Sequence, residues 1–276
     1  MAIDAKILSK YDALKAWLSR RERAVVAFSG GVDSTLLLYA AKEAGLKKLL
    51  AVTVVSPLLP KGEQHEAEAF CASQGVTRVL LQFDPFSVEG FRENPKDRCY
   101  HCKKHIFENV RALAEREGIE CVCEGSNADD VSDYRPGMRA IRELGICSPL
   151  LEVGLSKTEI RALLNGFGLP CGNKPSLACL ASRIPYGDAI TEEKLIMADK
   201  AEQLLFSLGF SQCRVRIHGN IARIEVLPED IPIFLDEGIR SGVDRVFKKL
   251  GFAYVTLDLK GYRTGSLNEV LDFTGK

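Results

Sequence analysis

The sequence predicts an α/β protein, a doubly wound parallel sheet followed by a smaller C-terminal α+β domain. Three observations predict it. Apolar, β-branched runs recur at 24–28, 49–55, 78–83 and 120–125, short and continuous as strands buried on both faces are. Segments of helical periodicity separate them, the alternation that builds a parallel sheet with crossover helices. Beyond residue 188 the order changes to helix, hairpin, helix, strand. The expected domains are therefore 1–188 and 189–276.

The elements follow in order. Residues 1–23 read as an amphipathic helix with Ile7, Leu8, Leu14, Trp17 and Leu18 on its apolar side. Asp4 and Asp12 make it unlike a secretory leader. The first strand, from Ala24, stops at Ser29-Gly30-Gly31, and Asp33-Ser34 opens a helix carrying Leu36-Leu37-Leu38. The second strand is broken by Ser56-Pro57. Residues 61–74 are helical, and the third strand ends at Asp84-Pro85. Residues 86–97 are polar and carry Gly90 and Pro95, a loop or flap. Cys99-Tyr100-His101-Cys102 leads into a helix over 103–117, and a fourth strand covers 120–125. A polar loop over 126–137 precedes a short helix at 139–144 and a fifth strand at 146–153. Ser156-Lys157-Thr158-Glu159 has the form of a capping box and opens a helix to about residue 167. Residues 168–188, rich in glycine and proline and carrying Cys171 and Cys179, read as an ordered linker that bears chemistry, the usual reason for a long loop in a compact domain. In the C-terminal domain the helix is expected over 191–208 and strands over 213–218 and 222–226 around Gly219-Asn220. A helical stretch over 229–250 and a strand over 253–257 follow.

Composition narrows the function. The 276 residues are 46% hydrophobic and 27% charged, ordinary for a globular chain. Thirty-seven basic residues balance 37 acidic ones, so the basic excess of a polyanion-gripping protein is missing and nucleic acid is not an expected partner. No apolar stretch reaches spanning length, so no membrane is expected and the location is read as cytoplasmic. Nine cysteines, an odd and scattered set, point to reduced thiols with some serving as ligands.

The first strand and its turn carry the clearest chemistry. Gly30 and Gly31 let backbone approach a ligand closely. The helix that follows offers free N–H groups and its positive dipole end to an anion. Ser29, Ser34 and Thr35 add hydroxyls. Asp33 would repel a phosphate unless it holds a magnesium ion that bridges to it. The loop lacks the spacing and lysine of a Walker A loop. Ligands of such a sheet lie at the carboxyl ends of its strands, so the loop Gly125-Ser126-Asn127-Ala128-Asp129-Asp130 faces the same edge. Asp129 and Asp130 could bind magnesium, and Arg135 could meet a phosphate or carboxylate. Cys99 and Cys102, with Cys179 or Cys171 some seventy residues later, leave three chemistries open: zinc, an iron–sulfur cluster, or a reactive thiol. Cys71, Cys121, Cys123 and Cys147 lie in apolar or strand-like surroundings and read as packing residues. Arg183, four residues after Cys179, could neutralise a phosphate and activate the thiol. Arg214 and Arg216 share one face of a strand and could hold a phosphate, with Arg223 and Glu225 as cross-strand partners.

Ser-Gly-Gly-Val-Asp-Ser at 29–34 resembles the PP-loop of ATP pyrophosphatases, the adenine nucleotide alpha-hydrolase-like fold. Further segments are similar to the LarE family of ATP-dependent sulfur transferases, which act in nickel-pincer cofactor biosynthesis and lactate racemase maturation. They are Asn127-Ala128-Asp129-Asp130, Asp133 to Gly137, Cys179 with Ala181 to Gly187, and Arg214-Val215-Arg216 with Ile221 to Glu225. The resemblance runs nearly end to end. It implies ATP and magnesium as cofactors and a small-molecule nucleotide substrate, pyridinium-3,5-biscarboxylic acid mononucleotide. A carboxylate of that substrate would be adenylated, with pyrophosphate and then AMP released, and become a thiocarboxylate. Asp33, Cys179 and Arg183 would be catalytic. Ser29, Gly30, Gly31, Asp33, Ser34, Thr35, Gly125, Asn127 and Arg135 would bind ATP, and Arg214 and Arg216 the substrate phosphate. Members of the family either sacrifice a cysteine or carry a 4Fe-4S cluster on three cysteines. Cys99, Cys102 and Cys179 resemble the second kind, with the physiological sulfide donor unassigned. A homo-oligomer is also implied. The competing expectations are a tRNA thiolase, an ammonia-dependent amidating ligase and, from another class, a non-enzymatic nucleotide-binding scaffold.

Overall fold

The computed structural model describes residues 3–59, 63–131, 136–169, 171–172, 174 and 178–269. The chain divides into two compact units. One takes residues 1–56, 61–88 and 97–177, and the other takes 57–60, 89–96 and 178–276.

In the first unit four strands form one sheet: β1 Arg23–Ala27, β2 Lys48–Val55, β3 Thr77–Gln82 and β4 Cys121–Cys123. Their order is β3-β2-β1-β4 and every pairing is parallel. Strand alternation divides the core in two. Val26, Ala51 and Cys123 face a core built with α1 (Ala5–Ser19), α2 (Val32–Glu43), α3 (Glu63–Gln74) and a later helix, Lys157–Gly166. Val25, Val52 and Val122 face the opposite core, against α4 (Arg98–Arg116) and α5 (Gly137–Glu143). Both faces are covered by helices, so the sheet is doubly wound as expected.

The fifth expected strand is absent. Residues 146–153 make a single bridge, Cys147 with Cys123, and then turn into the short helix α6, Pro149–Glu152. Pro149 explains the change: it has no N–H for a ladder, and its fixed φ suits the first helical position. A short apolar run does not by its period distinguish a strand from a buried helical segment. The helix after it, α7 (Lys157–Gly166), has the capping box read from the sequence, with Ser156 and Glu159 bonding reciprocally. α4 begins at Arg98 rather than residue 103, which puts Cys99 and Cys102 on its first turn.

In the second unit β5 (Cys213–His218) pairs antiparallel with β6 (Ile221–Val226), and β6 pairs parallel with β7 (Tyr254–Leu257). Helices α8 (Glu192–Ser207) and α9 (Glu237–Leu250) accompany this sheet. The helical stretch expected over 229–250 divides in two. A 3-10 helix, Pro228–Leu235, contains Pro232, and Asp236 then caps α9 by accepting from Ile239 N. Residues 89–96, read from the sequence as part of a loop or flap, belong to this unit. Asn94 has a positive φ of 53° and is fully buried. Its Nδ2 donates to the carbonyls of Ile184, Pro185 and Asp188 at 3.2, 2.6 and 3.1 Å. Among the described residues no helix is long and apolar enough to cross a membrane.

Candidate active site

The loop after β1 is shaped by its two serines and two glycines. Ser34 Oγ accepts from Ser29 N at 3.3 Å, donates to Gly31 O at 3.1 Å and lies 3.2 Å from Ser29 Oγ. Ser29 Oγ accepts from Gly31 N at 3.3 Å. Gly30 has a φ of 77°, and a Cβ there would stand 3.1 Å from the Cβ of Ala67, so both conformation and space require glycine. Gly31 caps α2 without a side-chain hydrogen bond. The first turn of the helix therefore presents backbone N–H groups of the kind that bind anions. Ser34 and Thr35 are buried in that turn.

The loop after β4 lies against it. A Cβ on Gly125 would stand 3.2 Å from Ser34 N and 3.3 Å from Asp33 Cβ, so the missing side chain is what lets the two loops touch. Asn127 Nδ2 donates to Asp33 Oδ1 at 3.3 Å. The acidic pair locks its own loop: Asp130 Oδ2 accepts from Asn127 N at 3.0 Å, and Asp129 Oδ2 accepts from Lys157 N at 2.8 Å. Glu124 is buried and accepts from Ser126 N, Ser126 Oγ and Ser148 Oγ at 3.0, 2.9 and 2.5 Å. Arg135 lies outside the described residues.

Lys157, at the start of α7, is the residue that sequence reasoning passed over. Its Nζ reaches Asp33 Oδ2 at 2.5 Å. Burial pushes the Asp33 carboxyl up, against the pull of the Lys157 charge, and the nearby Asp130 adds to the rise. The signal was present: Lys157 follows Ser156 of the capping box, and the loop after residue 153 was expected at the carboxyl edge of the sheet. Lys174 is the second cation near the turn, donating to Gly30 O at 3.3 Å and pairing with Glu66.

The cysteine set is placed as follows. Cys99 is exposed and Cys102 half-buried, three residues apart on one helix and so on one side of it. Their turn is fixed by Tyr100, which donates to Glu143 Oε2 at 2.6 Å and carries the Arg139 guanidinium 3.6 Å from its ring centroid. Cys171 is buried in the first unit's core. Cys179, in the second unit, is half-buried and precedes a 3-10 helix, Leu180–Arg183. Among the described residues no group of three or more His, Cys, Asp or Glu is arranged to hold a metal ion. Three thiols do converge elsewhere: Cys121, Cys123 and Cys147, each expected only to pack.

Arg183 is fully buried. Its Nε and one terminal nitrogen each donate at 2.8 Å to the two oxygens of Glu202. The other nitrogen donates to Ala178 O, Cys179 O and Ser182 Oγ at 2.8, 3.1 and 2.9 Å. It thus fixes the turn that carries Cys179. Arg216 makes a two-pronged pair with Glu225 at 3.1 and 3.0 Å and also donates to Ser182 O and Ser266 Oγ. Arg223 reaches the same Glu225 at 2.9 Å. Arg214 is buried, donates to Cys213 O at 2.6 Å and lies 5.4 Å from the Tyr262 ring centroid. Burial, and then the neighbouring charge of Arg183, lower its proton affinity. Arg183 thus pairs with Glu202, while Arg216 and Arg223 share Glu225 and Arg223 also lies 3.5 Å from Asp258. Glu202 is the partner that sequence reasoning missed, because its position on α8 gives no sign of the residue it meets.

A parallel sheet with a hydroxyl-lined glycine turn opening a helix, and an acidic loop seated on that turn, defines a PP-loop α/β protein. No family model matches the chain. It is 41% identical over 263 residues to an uncharacterized protein of Synechocystis sp., covering 95% of this chain and 98% of that one. It is 38% identical over 272 residues to the pyridinium-3,5-bisthiocarboxylic acid mononucleotide synthase of Lactiplantibacillus plantarum, covering 97% and 96%. It is 29% identical over 193 residues to a subunit of the glutamine-hydrolysing GMP synthase of Methanococcus maripaludis, covering 65% and 61%. The chain belongs to the pyridinium-3,5-bisthiocarboxylic acid mononucleotide synthase family, the LarE family.

Proposed function

We propose that the protein is an ATP-dependent sulfur transferase that converts a carboxylate of pyridinium-3,5-biscarboxylic acid mononucleotide to a thiocarboxylate. The observation that carries the reading is the near full-length likeness to the Lactiplantibacillus plantarum synthase, joined to a phosphate-binding turn of the right build. The substrate carboxylate attacks the α-phosphorus of ATP, and the bond to the β-phosphate oxygen breaks. Backbone N–H groups at the start of α2, with the hydroxyls of Ser29, Ser34 and Thr35, stabilise the charge on the departing pyrophosphate. A sulfur nucleophile then attacks the acyl carbon, and AMP leaves.

Magnesium fits at Asp33. This carboxylate is three-quarters buried, and its charge is answered by Lys157 and Asn127, the surroundings of a cation site. When bound there, magnesium would neutralise charge on the leaving pyrophosphate. Lys157, whose ammonium meets Asp33, would add its charge against the phosphates. Asp130 holds Asn127 and Asp129 holds the Lys157 backbone in place. In the second unit Arg214 and Arg216, two guanidinium groups on one face of β5, bind the substrate phosphate. This assigns nucleotide activation to the unit that carries the PP-loop, and substrate anchoring with homo-oligomer assembly to residues 189–276. The setting is the cytoplasm, and neither nucleic acid nor membrane takes part.

For the sulfur source we favour a 4Fe-4S cluster on Cys99, Cys102 and Cys179. The residue types suit it, since three thiolates can hold a cluster and leave one iron open. Such a cluster, when bound, would supply sulfide from an iron without a protein ligand. Two measurements test the proposal. Incubation with the biscarboxylic mononucleotide, ATP and magnesium is expected to give AMP and a thiocarboxylate by mass spectrometry. Uridine or cytidine thiolation in tRNA in its place refutes the substrate. About four iron per chain with acid-labile sulfide, after anaerobic purification, is the expected metal content. One zinc refutes the cluster, and so does a Cys179 that has lost hydrogen sulfide after turnover.

A further inference from the structure

We propose that Cys121, Cys123 and Cys147 form an oxidisable thiol centre, in which a peroxide converts Cys147 and Cys123 into a reversible disulfide. The centre is independent of the sulfur-transfer reading. Cys121 and Cys123 are two residues apart on one strand, so both side chains leave the same face, and their sulfur atoms lie 3.6 Å apart. Cys147 is the bridge partner of Cys123. Its backbone is held in register on both sides, with Cys147 N donating to Val122 O and Glu124 N donating to Cys147 O, each at 2.9 Å. Neighbouring strands lie about 4.8 Å apart, within the Cα spacing of roughly 4.4–6.8 Å that a disulfide spans. Cys123 is fully buried, whereas Cys147 is half-buried, so the oxidant meets Cys147 first.

The three thiols divide their roles. Hydrogen bonds from Cys121 and Cys123 hold the Cys147 thiol well below its ordinary range, and the Arg21 charge helps. Cys123 is pushed up, and Cys121 up to about 11. The cluster thus favours one thiolate hydrogen-bonded by neighbouring thiols, the arrangement of a reactive thiol with a resolving partner. No group of three or more potential ligands among the described residues is arranged for a metal ion, which favours oxidation chemistry over ligation.

The chemistry balances. Cys147 sulfur attacks one peroxide oxygen, the O–O bond breaks, and the leaving hydroxide takes a proton to become water. Cys147 is then a sulfenic acid, oxidised by two electrons. Cys123 sulfur, losing its proton, attacks Cys147 sulfur, the S–O bond breaks, and a second water leaves. Two thiols and hydrogen peroxide give one disulfide and two waters, and a dithiol reductant reverses the change.

The test uses the full chain, reduced anaerobically, treated with one equivalent of hydrogen peroxide and alkylated before non-reducing tryptic mass mapping. The tryptic peptides 117–139 and 143–157 are expected to appear joined and to separate with dithiothreitol. The joined species is expected to persist in Cys121→Ser and to vanish in Cys123→Ser. The measurement on the parent chain stands even where a variant folds poorly. The proposal is overturned if Cys99 and Cys102 oxidise while 143–157 stays unmodified, if Cys147 ends as an unjoined sulfinic acid, or if the joined species vanishes in Cys121→Ser.

Discussion

Gly125→Ala is the substitution whose consequence the geometry defines most closely. The added methyl would lie 3.2 Å from Ser34 N, 3.3 Å from Asp33 Cβ and 3.4 Å from Asp33 C. Ordinary contact begins near 3.4 Å, so the two loops must part by a few tenths of an ångström. The atoms it meets are mostly backbone of the PP-loop and cannot swing aside as a flexible side chain would. Overpacking of this kind costs about 1–3 kcal/mol, which for a chain of this length lowers Tm by roughly 2–10 °C. The larger effect is on chemistry. A displaced Asp33 and Ser34 no longer match the triphosphate, and a misplacement approaching 1 Å costs on the order of a hundredfold in rate. The expected loss for this smaller shift is about tenfold in kcat/KM for ATP. Thermal unfolding and pyrophosphate release together read both quantities. Gly242→Ala is the control. That position lies within α9, and a Cβ added there would meet nothing within 4 Å, so alanine is expected to stabilise by about 0.5–1 kcal/mol through helix propensity. If Gly125→Ala leaves both Tm and pyrophosphate release unchanged, the contact between the loops is not what positions the site.

Lys157→Gln removes a charge-assisted contact worth ~1.5–3 kcal/mol, so kcat/KM for ATP should fall about tenfold to a hundredfold, and calorimetric ATP binding at several magnesium concentrations separates its role from that of Asp33. Because burial raises the Asp33 carboxyl above 3.8, the folded chain binds that proton more tightly than the unfolded one. The group therefore favours folding most at low pH, and this contribution is lost as pH rises through its folded value. In Asp33→Asn the pH dependence is removed, so Tm of the parent minus Tm of the variant should become more negative from pH 4 to 7, and AMP formation should cease. Arg183→Ala leaves Glu202 buried without its partner and should cost about 3–5 kcal/mol, whereas Arg183→Met with Glu202→Leu should recover most of it; equal losses in denaturant titrations would contradict the pairing. Asn94→Gly keeps the positive φ accessible but removes a buried amide's bonds to three carbonyls, one of them buried, for an expected loss of about 1–3 kcal/mol in chemical unfolding.

Much of the first unit was legible because its strands are continuous apolar runs and its turns carry glycine, proline or a capping box. Ser29 to Ser34 announced a phosphate loop through residue types whose local chemistry leaves few alternatives. The stretch 146–153 was misread because a buried strand and a buried helical turn share the same apolar pattern, and Pro149 alone decides between them. The placement of Lys157 at that edge was legible, but its pairing with Asp33, the pairing of Glu202 with Arg183 and the meeting of Cys147 with Cys121 and Cys123 were not, for another reason. Each depends on a partner more than ten residues away, and spacing along one segment carries no record of what the fold sets opposite it. Strand period alone puts Arg214 and Arg216 on one face of β5. That Arg216 shares Glu225 with Arg223 required the register of β5 and β6.

The assignment of residues 57–60 and 89–96 to the second unit has a consequence for synthesis. A ribosome releases everything the first unit needs by residue 177, with about a hundred residues still to come. Two short segments already made must wait for that remainder: Leu58, whose carbonyl accepts from Leu180 N, and Asn94, whose amide donates to Ile184, Pro185 and Asp188. The second unit therefore cannot be completed by any fragment that starts at 178 or 189. It closes only when early and late parts of one chain meet, so a nascent chain stopped short of residue 184 holds none of the three carbonyls that the Asn94 amide meets in the finished fold.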